Sequence, residues 1–445
     1  MLIEFKVQNF LSFKDLTTFS MVCMKSFKEH QENNTFYGTN KIRLLKTATI
    51  QGNNGSGKSN LIKSIAFARS FALNSYRDAL IEEDNQKIAI HKFLLNKSCD
   101  NLPSHFEFSF IVNETIYRYG FELETDRVCK EWLFRTTTKE VPLFIRDEHS
   151  IYVNNVSFKE GLELKSKLET KNAISSPVLF LTRIAHDEGE ISKIVISWLR
   201  KINIINGIYD IPYKKITIKK LKNDIDFQKW VGRFMLFLEI NKLSITEKDV
   251  DDLGIDRLKN IETDEDVINL LVNIQKIQSK QPKDQILSWH RRYDENNFLI
   301  DTIPFDFDRD ESGGTKKLVY LLGLWYDTLK EGKILIVDEL EAQLHGNLVK
   351  YLLHFFHENN TNHAQLVFVT HNTSILDKTY LRRDQIWFVE KDQFGASTLY
   401  SLGDFSSEQV RNKSAFDKNY IEGKYGAIPY FEETDKLMTL LHDKK

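Results

Sequence analysis

A chain of 445 residues is long enough for one large domain with an insertion, or for two domains, with a substantial hydrophobic core. Its hydrophobic fraction of 41%, charged fraction of 28% and seven prolines are typical of a globular protein and exclude a disordered or fibrous chain. The 61 basic and 63 acidic residues leave a net charge of −2, so any contact with nucleic acid must depend on a local cluster of positive charge.

The sequence also argues against export and membrane insertion. Cys23, Cys99 and Cys129 lie far apart, a spacing that suits neither a disulfide framework nor a metal site. Residues 1–7 alternate as a strand does and lack the charged and apolar segments of a signal peptide. No stretch approaches the roughly 18 apolar residues needed to span a bilayer. We therefore expect a cytoplasmic protein that does not enter the membrane.

Residues 1–155 are predicted to form the first half of a nucleotide-binding domain, mostly from β-strands. Alternation at Leu2 to Val7 and at Phe106 to Val112 indicates strands of an antiparallel lobe. A short β run, Thr47 to Gln51, precedes a glycine-rich turn, and the helix that follows the turn begins near Lys58.

This turn matches the phosphate-binding P-loop pattern at every defined position. Such a loop turns its backbone amides toward an anion, and the following helix adds the positive end of its dipole. Lys58 would place its charge on the β and γ phosphates of ATP, and the Ser59 hydroxyl would ligate Mg²⁺. The predicted nucleotide-binding residues are Gly52, Asn53, Asn54, Gly55, Ser56, Gly57, Lys58 and Ser59.

Residues 156–297 are predicted to form an inserted helical lobe, because apolar positions between about Gly161 and Asp294 recur at intervals of three and four. Heptads are not sustained and prolines interrupt the pattern, so we expect a compact lobe rather than a long coiled-coil arm. A run of lysines here is a candidate nucleic-acid footprint, although such runs more often form a solvated face. The run comprises Lys214, Lys215, Lys219, Lys220 and Lys222.

Residues 298–445 are predicted to form the second half of the nucleotide-binding domain, because helices and strands alternate there, as they do around a parallel sheet. The predicted helices are Thr315 to Lys330 and Asn347 to His357, and the predicted strands are Lys333 to Val337, Leu366 to Val369 and Gln385 to Glu390.

The first of these strands contains the apolar run Ile334 to Val337 and is followed by two acidic residues, Asp338 and Glu339. Asp338 would hold Mg²⁺, directly or through water, and Glu339 would orient and polarise the attacking water as general base. In isolation the pair is also compatible with a solvated strand end. The P-loop earlier in the chain favours the catalytic interpretation.

Between these motifs, Glu311 to Thr315 resembles the Leu-Ser-Gly-Gly-Gln signature of ABC ATPases, with Ser312, Gly313 and Gly314 matching it. In that family the signature of one subunit caps the γ phosphate held by the other. The resemblance therefore implies a head-to-tail homodimer or a higher homo-oligomer. It also implies an α/β fold, an ABC-type P-loop NTPase head with an antiparallel β lobe, a parallel-sheet core and an inserted α-helical lobe. From the residues alone, a glycine turn that caps a helix is the alternative.

Three further residues correspond to elements of ABC ATPases. His345 stands where these proteins place the aspartate that ends the D-loop, a departure that is familiar from OLD-type and RecF-like members. His371, after the strand Leu366 to Val369, resembles the switch histidine that contacts the γ phosphate and is assigned a catalytic role. Gln86 is a candidate for the Q-loop glutamine only by its distance from the P-loop.

The ends of the chain resemble particular branches of the superfamily. Asn9-Phe10 and Ser12-Phe13 are similar to the first strands of SMC, RecF and OLD-type heads, whereas Asp384 to Lys391 and Tyr420 to Pro429 are similar to ATPases of the AbiL and PARIS phage-defence systems. This resemblance implies an ATPase that senses a DNA or phage-encoded trigger and controls a separately encoded effector, commonly a nuclease. Only 74 residues follow His371, too few for a Toprim nuclease domain, so we expect any cutting to need a partner.

Two other functions are alternatives to this defence role. The first is a RecF- or SMC-like ATPase that engages DNA in repair or maintenance, with the lysine run as its footprint. The second is a transporter ATPase subunit, which is disfavoured by the Leu-His ending, the β-strand at the start of the chain and the long helical insertion.

Overall fold

The computed structural model describes residues 1–39, 41–81, 87–171, 173–174, 176–207, 211–248, 283–406, 410 and 415–428. The chain divides into two compact units. The first comprises Met1–Gly207 and Asp327–Lys445, and the second comprises Ile208–Tyr326.

The part of the first unit that precedes the second unit contains most of the β-structure. Its strands are β1 Leu2–Gln8, β2 Thr17–Ser20, β3 Thr35–Tyr37, β4 Arg43–Leu45, β5 Thr47–Gly52, β6 Ser104–Val112, β7 Thr115–Leu123, β8 Val128–Thr136, β9 Glu140–Arg146, β10 Ile151–Val153 and β11 Ile202–Asn206. Its helices are α1 Gln31–Asn34, α2 Lys58–Ile81, α3 Leu162–Thr170, α4 Phe180–His186 and α5 Glu190–Arg200.

The remaining elements follow in chain order. The second unit contains α6 Ile211–Asn223, α7 Ile225–Leu236, β12 Lys242–Lys248, β13 Lys283–Tyr293, β14 Leu299–Asp306, α8 Phe307–Asp310 and the start of α9 Gly313–Glu331. The chain then forms β15 Ile334–Asp338, α10 Gly346–Asn359, β16 Gln365–Val369, β17 Ile386–Lys391, β18 Ser397–Ser401 and α11 Phe416–Ile421 in the first unit.

An antiparallel sheet with the order β10-β9-β8-β7-β6-β1-β2 forms the β lobe of the first unit. Helices α3 to α5 share its hydrophobic core, and the Trp198 ring stacks on Phe110 with centroids 3.8 Å apart. The buried Glu131 carboxylate of β8 accepts hydrogen bonds from the Phe180 and Leu181 amides at 2.6 and 3.0 Å, and so caps α4. The prediction that residues 162–200 belong to the insertion was therefore wrong, because their apolar faces are buried against the β lobe.

A second sheet, with the order β11-β15-β16-β5-β17-β18, forms the parallel core. Its strands pair in parallel except for β17 with β18, and β5, β15 and β16 are buried at every residue. Central strands of a parallel sheet are covered on both faces, which explains their continuous apolar composition. The predicted α/β fold, with an antiparallel lobe and a parallel core, is confirmed.

The described part of the second unit is a mixture of helices and an antiparallel sheet with the order β12-β13-β14. The predicted insertion was helical to about Asp294, and this was wrong for β13, in which Ile286 and Ser288 are buried on one face at a spacing of two. The buried face includes the polar Ser288, whereas the other face carries the apolar Leu287 and Trp289, so apolar and polar residues do not alternate along this strand.

The lysine run lies on α6, and two of its five charges are neutralised within the second unit. Lys214 bonds both oxygens of Asp308 at 2.7 and 2.8 Å, and Lys222 contacts Glu247 and Asp284, each at 2.9 Å. The run therefore offers less free positive charge than its sequence indicates. No helix in the described ranges combines the length and the apolar character of a bilayer-spanning segment.

Candidate functional site

The candidate site lies at the carboxyl edge of the parallel sheet. β16 lies between β5 and β15 and pairs in parallel with both, so the three strands end at the same edge. The P-loop follows β5, Asp338 and Glu339 lie at the end of β15, and His371 follows β16. Ligands of open α/β sheets bind outside such strand ends. The fold thus gathers three motifs at one edge, although Asp338 lies 279 residues after Ser59 in the sequence.

Two glycines of the P-loop are required by geometry. Gly52 and Gly57 have φ angles of +150° and +111°, in the region that side chains disfavour. A Cβ atom on Gly52 would clash with the Val389 carbonyl, and one on Gly57 would lie 2.6 Å from the Ser12 hydroxyl. The loop can therefore adopt this path only with glycine at these positions.

The P-loop is held in place by hydroxyl groups from distant parts of the chain. The Ser397 hydroxyl of β18 donates to the Ser56 carbonyl at 2.5 Å and lies 2.8 Å from the Ser12 hydroxyl. Asn60, in the first turn of α2, donates to Ser12 at 2.8 Å. These contacts give Ser12, which the sequence associates only with a family resemblance, a physical role in positioning the loop.

Lys58 is the buried cation of the site. Its ammonium group donates to the carbonyls of Gly52 and Asn53, both at 2.7 Å. Burial lowers the pKa of Lys58 to about 8, although the carboxylates of Asp338 and Glu339 act in the opposite direction. An incoming phosphate would supply the anionic partner that favours the charged form.

The residues present fit a nucleotide with Mg²⁺. The Ser59 hydroxyl donates to Asp338 Oδ1 at 3.2 Å, so a hydroxyl and a carboxylate, both hard oxygen ligands of the kind that Mg²⁺ prefers, meet beside Lys58. Ser56 Oγ and Asn53 Oδ1 are buried without a hydrogen-bond partner among the described residues. Buried polar groups are ordinarily paired, and the Ser56 hydroxyl can donate to a phosphate oxygen, so this atom fits a loop that is completed by a phosphate ligand.

Glu339 lies at a strained turn. Its φ angle is +58°, which is rare for a residue with a side chain. The backbone of Gly207 lies so close to the Glu339 carbonyl that a Cβ atom on residue 207 would clash with it. The Gly207 amide also donates to the Asp338 carbonyl at 2.5 Å. The sequence analysis did not predict this role for Gly207. The only signal in the sequence is its position directly after the apolar run of β11.

Glu341 is a second residue that the motifs did not single out. One oxygen of its carboxylate accepts a hydrogen bond from the His371 amide at 2.5 Å, and the other is buried and unpartnered among the described residues. Its charge also opposes the lowering of the Lys58 pKa. Glu341 therefore links the turn after β15 to the predicted switch histidine, whose own side chain is exposed.

The signature-like turn belongs to the second unit. The Ser312 hydroxyl accepts a hydrogen bond from the Thr315 amide at 3.1 Å and so caps α9, as the simpler interpretation of this turn requires. Ser312 and Gly313 are nevertheless exposed, and the preceding Glu311 is fixed by Ser288 and His290, each at 2.6 Å. The residue before the turn is therefore fixed by hydrogen bonds, while Ser312 and Gly313 remain accessible to a ligand or a partner.

Two remaining predictions concern His345 and Gln86. His345 caps α10, because its Nδ1 accepts a hydrogen bond from the Asn347 amide at 3.2 Å. This contact explains why a histidine can replace the usual aspartate there. Gln86 lies outside the described residues.

The pKa of Lys58 predicts how ATP binding depends on pH. Above about pH 8 the unliganded ammonium loses its proton, and binding must then restore it, so the affinity should fall by about tenfold per pH unit. Calorimetric titration with ATP from about pH 7 to about pH 9.5 measures this slope, and proton uptake measured in buffers of different ionisation enthalpy checks its origin. Lys58→Met should bind ATP more weakly, and its affinity should not show this decrease with pH. An equal slope in both proteins would contradict the assignment.

Comparison with known proteins gives a family. Residues 48–377 match the family described as "AAA domain, putative AbiEii toxin, Type IV TA system". No curated protein matches the sequence.

Similar solved structures include three heads of SMC proteins. The SMC head domain from Thermotoga maritima has 14% identity, a TM-score of 0.38 and coverage of 90% of this chain and 98% of its own. An SMC head bound to the C-terminal winged-helix domain of ScpA has 13% identity, a TM-score of 0.41 and coverage of 90% and 97%. The SMC head with an extended coiled coil bound to the C-terminal domain of ScpA from Pyrococcus furiosus has 14% identity, a TM-score of 0.33 and coverage of 92% and 97%.

The family match spans well over half of the sequence and contains the P-loop, the Asp338–Glu339 pair and His371. The chain belongs to this family of AAA domains.

Proposed function

We propose that the protein is an ATP-hydrolysing switch that acts as the sensor ATPase of a bacterial anti-phage defence system and controls a separately encoded effector, such as a nuclease. The observation that supports hydrolysis best is the convergence of Lys58, Ser59, Asp338 and Glu339 at one sheet edge, where Ser59 and Asp338 are 3.2 Å apart. This set combines phosphate binding with a candidate general base.

The proposed reaction is the attack of water on the γ phosphorus of ATP. Glu339 accepts a proton from the water, the bond between the γ phosphorus and the bridging oxygen breaks, and ADP leaves with that oxygen. Lys58 places its charge against the phosphates, and His371 contacts the γ phosphate. Ser59 and Asp338 would hold Mg²⁺, which would neutralise charge on the phosphates.

The proposed site needs two copies of the chain. The P-loop already supplies an amide cradle, yet the chain carries a second exposed helix start at Ser312 and Gly313, with no assigned ligand. A second copy that docks head to tail would use this turn to cap the γ phosphate held by the first copy. Hydrolysis would then separate the two copies, so their association would depend on whether ATP or ADP is bound.

The defence role rests on family relations. The description of the matching family names the AbiEii toxin and a type IV toxin–antitoxin system, which agrees with the resemblance of Asp384 to Lys391 to abortive-infection ATPases. A cytoplasmic location fits the three cysteines, which are buried thiols without disulfides. The alternative of a RecF- or SMC-like DNA-engaging ATPase loses part of its support, because Lys214 and Lys222 are engaged in ion pairs.

Glu339→Gln tests the catalytic step. The amide cannot accept the proton, so turnover should fall by a factor of about 10² to 10⁴ while ATP binding persists. A coupled assay of ADP release and a parallel binding titration separate the two effects. In cells that carry the chain with its neighbouring genes, the variant should also lose protection against phage. Unchanged turnover would remove Glu339 from the role of general base, whereas lost turnover with intact protection would separate hydrolysis from defence.

Ser312→Arg tests capping by a second copy. The large side chain should prevent docking on the γ phosphate and abolish turnover, while each monomer still binds ATP at its own P-loop. Thr138→Arg places the same side chain on an exposed turn of the β lobe and should change neither property. Loss of ATP binding by monomeric Ser312→Arg would contradict capping in trans.

A further inference from the structure

A cleft of about 700 Å³ lies in the first unit, among the residues between β2 and β4. Its walls include the side chains of Lys25, Lys28, Lys41 and Arg43, together with Phe27 and Tyr37. The whole chain has a net charge of −2, so this concentration of basic residues is a local feature. The proposed ATPase mechanism uses none of them.

The loop that carries Lys25 and Lys28 is held by a buried ion pair. Arg382 is fully buried and donates to the carbonyls of Glu29 at 2.6 Å and Phe27 at 3.2 Å. Its partner Asp384 contacts it at 2.8 Å and accepts a hydrogen bond from the Met24 amide at 2.8 Å. A loop fixed in this way presents its lysines in a preformed arrangement, which reduces the entropy lost on binding.

The lysines of the cleft are free of internal anions. Within the described ranges, no carboxylate pairs with the ammonium groups of Lys25, Lys28 or Lys41, and all three are exposed. Two acids of the same loop have other partners, because Glu29 lies 3.7 Å from Arg383 and Glu32 lies 3.3 Å from Arg43, which is itself a residue of the cleft. The three lysines therefore keep their positive charge, in contrast to Lys214 and Lys222 of the run on α6.

An aromatic ring completes the cleft. Tyr37 is 60% exposed, and the Arg43 guanidinium lies 4.5 Å from the centroid of its ring. Arg43 also donates to Thr35 at 2.5 Å and to the Gln31 carbonyl at 3.1 Å, so its position is fixed. A ring supported on one face by a cation offers its other face for stacking.

We propose that this cleft binds a single-stranded nucleic acid, with the lysines on its phosphates and one base stacked on Tyr37. A site for a single phosphate ordinarily uses a free arginine fork or backbone amides, and the Arg43 fork is already occupied. Separate ammonium groups suit successive phosphates of a strand. A stacking ring suits an unpaired base, which a duplex does not offer, and an acidic protein would leave the ring without a role.

The test measures binding of full-length protein, without ATP, to a fluorescein-labelled oligonucleotide of about 20 nucleotides by fluorescence anisotropy across a salt series. Lys25→Ala/Lys28→Ala/Lys41→Ala should weaken binding at least tenfold at low salt. It should also reduce the slope of log affinity against log salt by about 2, since each phosphate contact on a single strand contributes about 0.7. Tyr37→Ala should weaken binding about tenfold and leave the slope unchanged.

The matched control is Lys215→Ala/Lys219→Ala, which removes two exposed lysines of α6 and should leave binding unchanged. Absence of binding by the native protein, or an equal loss in the control, would overturn the proposal. Equal affinity for a duplex, with no effect of Tyr37→Ala, would identify a duplex surface instead. Equally strong competition by poly-glutamate would identify an acidic protein as the partner. Because the assay contains no ATP, its outcome is independent of the proposed hydrolysis.

Discussion

The parallel pairing of β5, β16 and β15 is the constraint on which the candidate site depends. Each strand is buried at every residue, and the common direction brings their carboxyl ends to one edge. The chain must change direction there, and it does so through the P-loop, through the strained turn at Glu339 and through the loop that carries His371. Polar and charged groups thereby collect on a rigid apolar support, which keeps a phosphate site preorganised.

The same edge is electrostatically unfinished without a ligand. Lys58 is buried against carbonyl groups with a lowered pKa, the P-loop leaves Ser56 Oγ and Asn53 Oδ1 unpartnered among the described residues, and one oxygen of Glu341 is equally unpartnered. A nucleotide phosphate supplies an anion for the lysine and an acceptor for the Ser56 hydroxyl. These features concern the first unit alone, and the proposed second copy would supply the Ser312 turn from outside.

The sequence predicted those parts of the site whose function depends on residue type and local spacing. The P-loop and the Asp338–Glu339 pair are of this kind, and the helix predicted from Thr315 to Lys330 extends over Gly313–Glu331 in the structure. The role of Gly207 escaped prediction because it depends on a backbone approach between strands that are far apart in the sequence. The role of Glu341 escaped prediction because it depends on a side-chain hydrogen bond to a loop 30 residues later. Helices α3 to α5 were assigned to the insertion, because the helical pattern in the sequence does not show which surface their apolar faces cover. The lysines of the cleft were not predicted to form a site, because they do not form a run in the sequence.

If one nucleotide is bound by two copies of the chain, two variants that are each inactive should complement one another when they are mixed. Lys58→Ala lacks the phosphate-binding lysine, and Ser312→Arg lacks a usable cap, so neither should hydrolyse ATP alone. A mixed pair contains one intact combination, formed by the P-loop of the Ser312→Arg chain and the Ser312 turn of the Lys58→Ala chain. Mixing the two variants should therefore restore turnover. If every ratio of the two variants stays inactive although both fold and associate, the nucleotide is not shared between copies.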